Sequence, residues 1–255
     1  MSAQTLDHLP PLQGCLYCHA EGSTTLVESR KVLGIGSDYP VLKCSHCKAV
    51  ALLDVGAGGE DSWRIRYRRV PHTPRYFYLA RHLGKAGWLS AEKALAISTD
   101  GYVQRTRVQQ ARQGDLVWLQ PVRLDPPPPL MRTDETVYLT LRAVSFQQAP
   151  PQTVFTRPEH GDVLDSGKLY VTNQKLHLLG QRQDWSHRLS DIQRVDYGNE
   201  YWIVFINAGS QMQKYRGMHM DGQLDPQLIT TIIEALWRLS QMRSEPSTSF
   251  DVLPE

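Results

Sequence analysis

The sequence predicts an α+β multidomain protein: a small β ribbon first, then a mixed, mostly helical middle segment, then a C-terminal β-barrel or curved sheet closed by one α-helix. Three observations predict it. All four cysteines fall into two Cys-x-x-Cys pairs near the N-terminus. A proline run from Pro121 to Pro129 interrupts any regular element near the middle of the chain. Beyond it, strand-length apolar runs separated by turn signals give way to one stretch of helical period. The expected segments are 1–57, 58–120, 121–132, 133–243 and a flexible tail over 244–255.

Composition bounds the class. The chain has 255 residues, 41% hydrophobic and 21% charged, with a formal net charge of +2. That balance fits folded domains and excludes a wholly disordered chain. The longest apolar runs, Tyr201 to Ile206 and Ala49 to Val55, are strand-sized and fall short of the roughly 20 residues that span a bilayer. Met1-Ser-Ala-Gln-Thr-Leu-Asp-His8 has neither a basic nor an apolar region of the kind a secretory signal carries, so a cytoplasmic location is expected.

The first segment rests on its cysteines. Cys15-Leu-Tyr-Cys18 and Cys44-Ser-His-Cys47 are separated by 25 residues, and no cysteine is left over. A Cys-x-x-Cys turn aims two thiolates at one point, and two such turns close the tetrahedron that zinc prefers. Cys15, Cys18, Cys44 and Cys47 are therefore the expected zinc ligands. Four sulfurs leave no open position for a reactive water, so the ion is expected to be structural. Disulfides fit poorly with a chain lacking an export signal, and a redox dithiol would need one pair at a strand-to-helix junction. His19 and His46 lie in or beside the turns but are expected to face solvent. The stretches Thr24 to Ser29, Tyr39 to Lys43 and Ala49 to Asp54 are β-rich, which makes the segment look like a zinc ribbon. About 50 residues cannot bury enough apolar surface alone, so the metal supplies folding free energy. Gly34-Ile-Gly36 lacks the third glycine of a nucleotide loop and reads as a turn.

The middle segment is basic and aromatic. Ser62 to Ala91 holds seven basic residues (Arg64, Arg66, Arg68, Arg69, Arg75, Arg81 and Lys85) and no acidic ones, while the other 21 Lys and Arg against 26 Asp and Glu leave −5 elsewhere. Trp63, Tyr67, Tyr76, Phe77, Tyr78 and Trp88 are interleaved. Guanidinium and ring faces together suit phosphate neutralisation with base stacking, which makes the six arginines candidates for anion or nucleic-acid binding. The favoured alternative is structural. In a strand, Arg64, Arg66 and Arg68 share the solvent face while Trp63, Ile65 and Tyr67 face a core. Helices are expected from Thr73-Pro74 to a stop at Gly87, from a Ser90 cap onward, and from Gly101 through Arg112 to Gly114, with Leu116 to Leu119 a short buried strand or turn. The proline run reads as a stiff spacer, with a proline-rich ligand as the lesser reading.

The last segment is β-rich. Runs at Thr136 to Phe146, Lys168 to Thr172, Lys175 to Leu179, Asp191 to Asp196 and Tyr201 to Ile206 are punctuated by Asp165-Ser-Gly167, Asn173-Gln, Gly180, Gly198-Asn and Asn207-Ala-Gly209, as in an antiparallel meander. Then the period changes. Asp225 and Pro226 start a helix whose apolar face is Leu228, Ile229, Ile232, Ile233, Leu236 and Leu239, reaching about Met242.

Gly167-Lys-Leu-Tyr-Val-Thr-Asn-Gln-Lys-Leu-His-Leu-Leu-Gly180, followed by Trp185-Ser-His-Arg-Leu-Ser-Asp-Ile-Gln-Arg-Val195, resembles a strand pair and the following strand of GRAM and bacterial pleckstrin-homology-like (PH-like) domains. The resemblance covers roughly Thr133 to Met242. It implies a PH-like β fold that binds lipid headgroups, peptides or proteins and does no catalysis. Members that grip phosphoinositides use basic residues around the first hairpin loop, whereas Gln147-Gln-Ala-Pro-Pro-Gln152 has none, so specific headgroup recognition is not expected. Lys168, Lys175, Arg182 and Arg188 could face an anionic surface or simply solvent.

No nucleophile elbow, phosphate-binding loop or His-Glu-x-x-His motif occurs, and no enzyme is expected. The leading expectation is a non-catalytic zinc-binding adaptor that binds protein partners or a surface through its ribbon and PH-like module. The alternative is a nucleic-acid-associated factor using the ribbon and Arg64 to Arg81, and attachment to an anionic membrane surface is a third.

Overall fold

The structure, a computed structural model, describes residues 8–28, 38–56, 62–148, 162–208, 211–220 and 224–244. Two antiparallel sheets and a few helices make a mixed α+β architecture. The chain divides into two compact units, Met1–Thr106 and Arg107–Glu255. The Gly34 to Gly36 turn, most of the Gln147 to Gln152 loop and the tail beyond Ser244 lie outside the described residues.

In the first unit, β1 (Thr24–Val27), β2 (Val41–Cys44), β3 (Val50–Val55), β4 (Trp63–Arg69) and β5 (Leu89–Ser90) pair in chain order. The helix α1 (Pro10–Gln13) precedes these strands, α2 (Phe77–His82) lies between β4 and β5, and α3 (Ala91–Arg112) runs on from β5 across the division between the units. In β4 the expected alternation holds: Trp63, Ile65 and Tyr67 are buried while Arg64, Arg66 and Arg68 are exposed. That strand extends the cysteine-bearing sheet through its pairing with β3, Leu53 opposite Ile65 and Asp54 opposite Arg64. Residues 58–120 are therefore not a separate helical segment. The buried side chains of β4 join Leu53, Leu79, Leu83 and Ala94 in one core.

Thr73 and Pro74 open a helical stretch as expected, a 3-10 turn over Pro74–Tyr76 leading into α2. Ser90 Oγ accepts from Lys93 N–H at 3.4 Å at the start of α3. Two helices were expected from Ser90 to Arg112, and one continuous helix is found. Gly101 does not divide it. A Cβ there would stand 2.4 Å from Leu79 Cδ2, so the glycine lets α2 and α3 approach closely. Gly114, at φ +81°, supplies the left-handed residue that follows the helix end.

The second unit contains Leu116, Trp118 and Leu119 in a turn packed on its core. The proline run carries neither helix nor strand, as its chemistry requires. It is not a spacer between the two units, because it lies inside the second. Pro128 is buried there, and Val122 N–H donates to Val137 O at 2.8 Å.

Seven strands follow: β6 (Val137–Gln148), β7 (Asp162–Thr172), β8 (Lys175–Gly180), β9 (Asp184–Arg188), β10 (Ile192–Tyr197), β11 (Tyr201–Ala208) and β12 (Gln211–Met218). Their order is β10-β11-β12-β6-β7-β8-β9. The sheet is open, with β9 and β10 as its edges, and the barrel form of the expectation is not found. One long strand, β6, pairs with β7 on one side and β12 on the other, and a register shift at Arg142 and Ala143 (φ 52°) bends it between them. The last helix, α4 (Pro226–Ser244), packs on β10 and β11. Asp225 Oδ1 caps it by accepting from Gln227 N–H at 2.9 Å. Phe146, Leu169, Leu178, Trp202, Ile232 and Ile233 are in its fully buried core.

Three details differ from the sequence reading. Asp165-Ser-Gly167 is not a turn but lies within β7. Trp185 to Val195 is two strands joined by a 3-10 turn at Leu189–Asp191. The strand β12 was not anticipated.

Candidate metal centre

The two cysteine turns are built alike. After α1, Cys15 to Cys18 turns so that His19 N–H donates to Cys15 O at 2.8 Å; at the end of β2, Lys48 N–H donates to Cys44 O at 3.1 Å. His19 and Lys48 both adopt left-handed backbone, φ 60° and 64°, which reverses the chain after the second cysteine of each pair. The pairing of β1 with β2 sets the turns face to face, with Thr24 opposite Cys44. Ser45 N–H donates to Ser23 O at 2.8 Å and locks them together.

The four Sγ atoms of Cys15, Cys18, Cys44 and Cys47 lie within 4.8 Å of one another. Cys15 and Cys47 are 3.7 Å apart, as are Cys18 and Cys44. Sulfurs bound at about 2.3 Å at the corners of a tetrahedron stand about 3.8 Å apart, so the residues fit a four-thiolate zinc ion. No disulfide joins them. The protonation balance points the same way. The contact with Cys47, then burial, holds the Cys15 thiol protonated, and burial pushes Cys18 up to about 11. Cys47, accepting from Cys15, is drawn down to about 5. Sulfurs this close cannot all ionise without a cation, and a divalent ion would displace the remaining protons. Cys44 Sγ also accepts from the Cys47 backbone N–H within its own turn and meets Ser23 Oγ from outside the cluster, each at 3.3 Å, which orients the sulfur.

Neighbouring elements brace the first turn. Tyr17 is fully buried, and its hydroxyl donates to Pro71 O at 2.6 Å. Ser98 Oγ, on α3, donates to Leu16 O at 2.7 Å and lies 3.3 Å from His19 Nε2. Arg105 Nη1 donates to Tyr17 O at 3.3 Å while its guanidinium covers the Tyr76 ring. Sequence reasoning missed Ser23, Ser98 and Arg105. Their roles depend on where α3 and β1 are placed, and no spacing encodes that. His46 is exposed, and His19 is half-buried against Ser98 and Tyr102 rather than facing solvent as expected.

The six candidate arginines do not converge with the cysteines. Arg64 donates twice to Asp54 Oδ2, at 2.5 and 3.2 Å, and lies over the Trp88 ring. Arg75 covers the Tyr76 ring, and Arg81 is half-buried. Arg66, Arg68 and Arg69 are exposed along β4.

In the second unit, buried His177 lies 2.6 Å from both Ser186 Oγ and Glu135 Oε2. Both ring nitrogens are occupied, and this cross-strand ladder ties β8 to β9 and to the residue leading into β6. Lys168 covers the Tyr170 ring, and Arg182 Nη1 donates to Leu164 O at 3.5 Å.

The sequence matches no protein-family model and no curated protein. Among the described residues no helix is long and apolar enough to cross a membrane.

Proposed function

We propose that the protein is a non-catalytic adaptor whose first unit is held by one structural zinc ion and whose second unit is a PH-like binding module. The observation that carries this reading is the closed set of four sulfurs. With every tetrahedral position taken, zinc has no site for a reactive water and serves as a cross-link between the turns. The rigid first turn then offers a surface. A concavity of about 490 Å³ opens beside it, lined by Pro10, Leu16, His19, Thr99 and Tyr102, with Tyr102 54% exposed. A pocket of that size with an aromatic rim suits a protein or peptide side chain. Support for the PH-like reading comes from the antiparallel order of β6 to β12 and from α4 lying on β10 and β11.

A second reading, binding of nucleic acid, is favoured by Arg66, Arg68 and Arg69, which stand exposed on one strand. Metal analysis and a gel-shift titration separate the two. The adaptor reading expects one zinc per chain and no retardation of a mixed-sequence duplex or single strand. Absence of zinc would overturn it. A retarded complex that weakens steeply between about 50 and 200 mM salt would replace it with the second reading.

A further inference from the structure

Strand register places two cations where a sheet ordinarily avoids them. Lys175, the first residue of β8, is directly opposite Arg188, the last of β9. Like charges facing each other across an antiparallel pair destabilise it. Both line a cleft of about 450 Å³, whose other walls include Arg132, Asn173, Ser190 and Ser240. Three cations border the cleft, and its lining includes no carboxylate.

Two of the cations are held from behind. Arg132 pairs with Asp134 at 3.2 Å, and Lys175 with Glu135 at 3.5 Å. The Glu135 carboxylate is already shared with His177 and Thr172, so it offsets only part of the Lys175 charge. Arg188 forms no ion pair among the described residues, although its backbone N–H donates to Asp191 Oδ2 at 3.0 Å. Asn173 is fixed at the corner by its Oδ1, which accepts from Thr136 N–H at 2.9 Å and leaves the side-chain amide to donate. Ser190 and Ser240 stand at the rim, where the Ser240 hydroxyl donates to Trp237 O at 2.6 Å, so the cations and the Asn173 amide supply the donors.

We propose that this cleft binds a phosphate monoester group, with Lys175 and Arg188 clasping it from two strands and Arg132 closing the third side. The bound dianion converts the repulsion between Lys175 and Arg188 into two charge-assisted contacts, which are the strongest hydrogen bonds available here. The pocket volume suits a small phosphorylated molecule or a phospholipid headgroup, two sources of the same chemistry. This inference goes beyond the adaptor reading, and zinc content does not bear on it.

The test uses the full chain in a buffer without phosphate. Inorganic phosphate, titrated against matched sodium chloride, is expected to shift the amide resonances of Asn173, Gln174 and Ser190 saturably and to raise the melting temperature. Arg188→Gln and Lys175→Gln should each weaken phosphate binding about tenfold or more, as loss of one charge-assisted contact requires. Arg182→Gln, which lies outside the cleft, should not. Relief of repulsion gives a readout that a purely structural role would not produce: Arg188→Gln should raise the ligand-free melting temperature while removing the phosphate-induced rise. Phosphatidylcholine vesicles with and without phosphatidic acid separate the sources. Binding to free phosphate supports a soluble ligand, and binding to phosphatidic acid alone supports a headgroup. No saturable response in either arm, or a response that survives both variants, overturns the proposal.

Discussion

Cys15 Sγ and Cys47 Sγ, 32 residues apart in sequence, stand 3.7 Å apart in the fold. Their neighbours in space are β1, β2 and the turn braced by Tyr17, so the sheet and the metal site are one construction. Structural zinc in small domains contributes an apparent binding free energy of about 10–16 kcal/mol near neutral pH, comparable to the whole stability of a domain. Cys47→Ser is therefore expected to lose stoichiometric zinc, and the amides of Val41 to Cys44 and Val50 to Val55 should lose hydrogen-exchange protection. Chelator added to the parent protein should do the same. Full protection in a zinc-free sample would show that the core of Leu53, Ile65 and Leu79 holds the sheet unaided.

Acid should act through Asp165. Its carboxylate accepts backbone N–H bonds from Ser166, Gln181, Arg182 and Gln183, at 2.7 to 3.3 Å, and so builds the turn between β8 and β9. These bonds, led by that from Gln183, hold its pKa down to about 2 against an ordinary 3.8. A depressed carboxylate pKa stabilises the fold above the unfolded value and ceases to do so as pH falls through the folded one. Urea midpoints of the parent should thus decline from about pH 4 towards pH 2. In Asp165→Asn they should start lower at neutral pH and decline less across that window. Parallel curves for the two proteins would remove Asp165 from this role.

How much of this was legible in the sequence follows from what kind of pattern encodes each part. The cysteine site was legible because two short spacings state both ligand identity and geometry. The strand β4 was legible because Trp63, Ile65 and Tyr67 alternate with arginines at period two. The strand β12 was not. Its sequence, Gln-Met-Gln-Lys-Tyr-Arg-Gly-Met, shows little alternation, and Lys214 is buried beside Tyr215. It is a strand because β11 and β6 supply hydrogen-bond partners on both sides. Lys175 and Arg188 were visible as basic residues, but their opposition appears only once Leu176 faces His187 and fixes the register. Tertiary placement carries that information, and local propensity does not.

The arginines of β4 should separate by what they touch. Arg64 is engaged by Asp54 and Trp88, so Arg64→Ala is expected to cost about 0.2–1 kcal/mol, the range of an exposed ion pair. Arg66→Ala, at an exposed position, should stay within about 0.5 kcal/mol. Urea denaturation of both variants reads this directly. If nucleic acid binds this strand, Arg66→Ala should also lower the salt slope of binding by about 1. An Arg66 loss as large as that of Arg64 would mean that the exposed face contributes to the fold.

The closest approach in the second sheet sits at Gly167, where a Cβ would come within 1.9 Å of Leu179 O. The partner is backbone in a paired strand, Gly167 standing opposite Gly180, and it cannot move aside as a side-chain tip would. Gly180 is equally constrained, since a Cβ there would meet Gln183 O at 2.2 Å and Asp165 Oδ2 at 2.3 Å. The facing glycines let β7 and β8 close up while Asp165 reaches the turn. Gly167→Ala is therefore expected to destabilise by about 1–3 kcal/mol, the usual cost of forcing an extra methyl into a packed site. Gly114→Ala provides the contrast. Nothing lies within 4 Å of its added Cβ, and only its left-handed backbone opposes the change. Hydrogen exchange should show Gly167→Ala losing amide protection at Lys168 to Leu178, while Gly114→Ala leaves those amides unchanged. Equal protection in both variants would mean that the two strands are free to separate at Gly167, and that the glycine pair is not what sets their spacing.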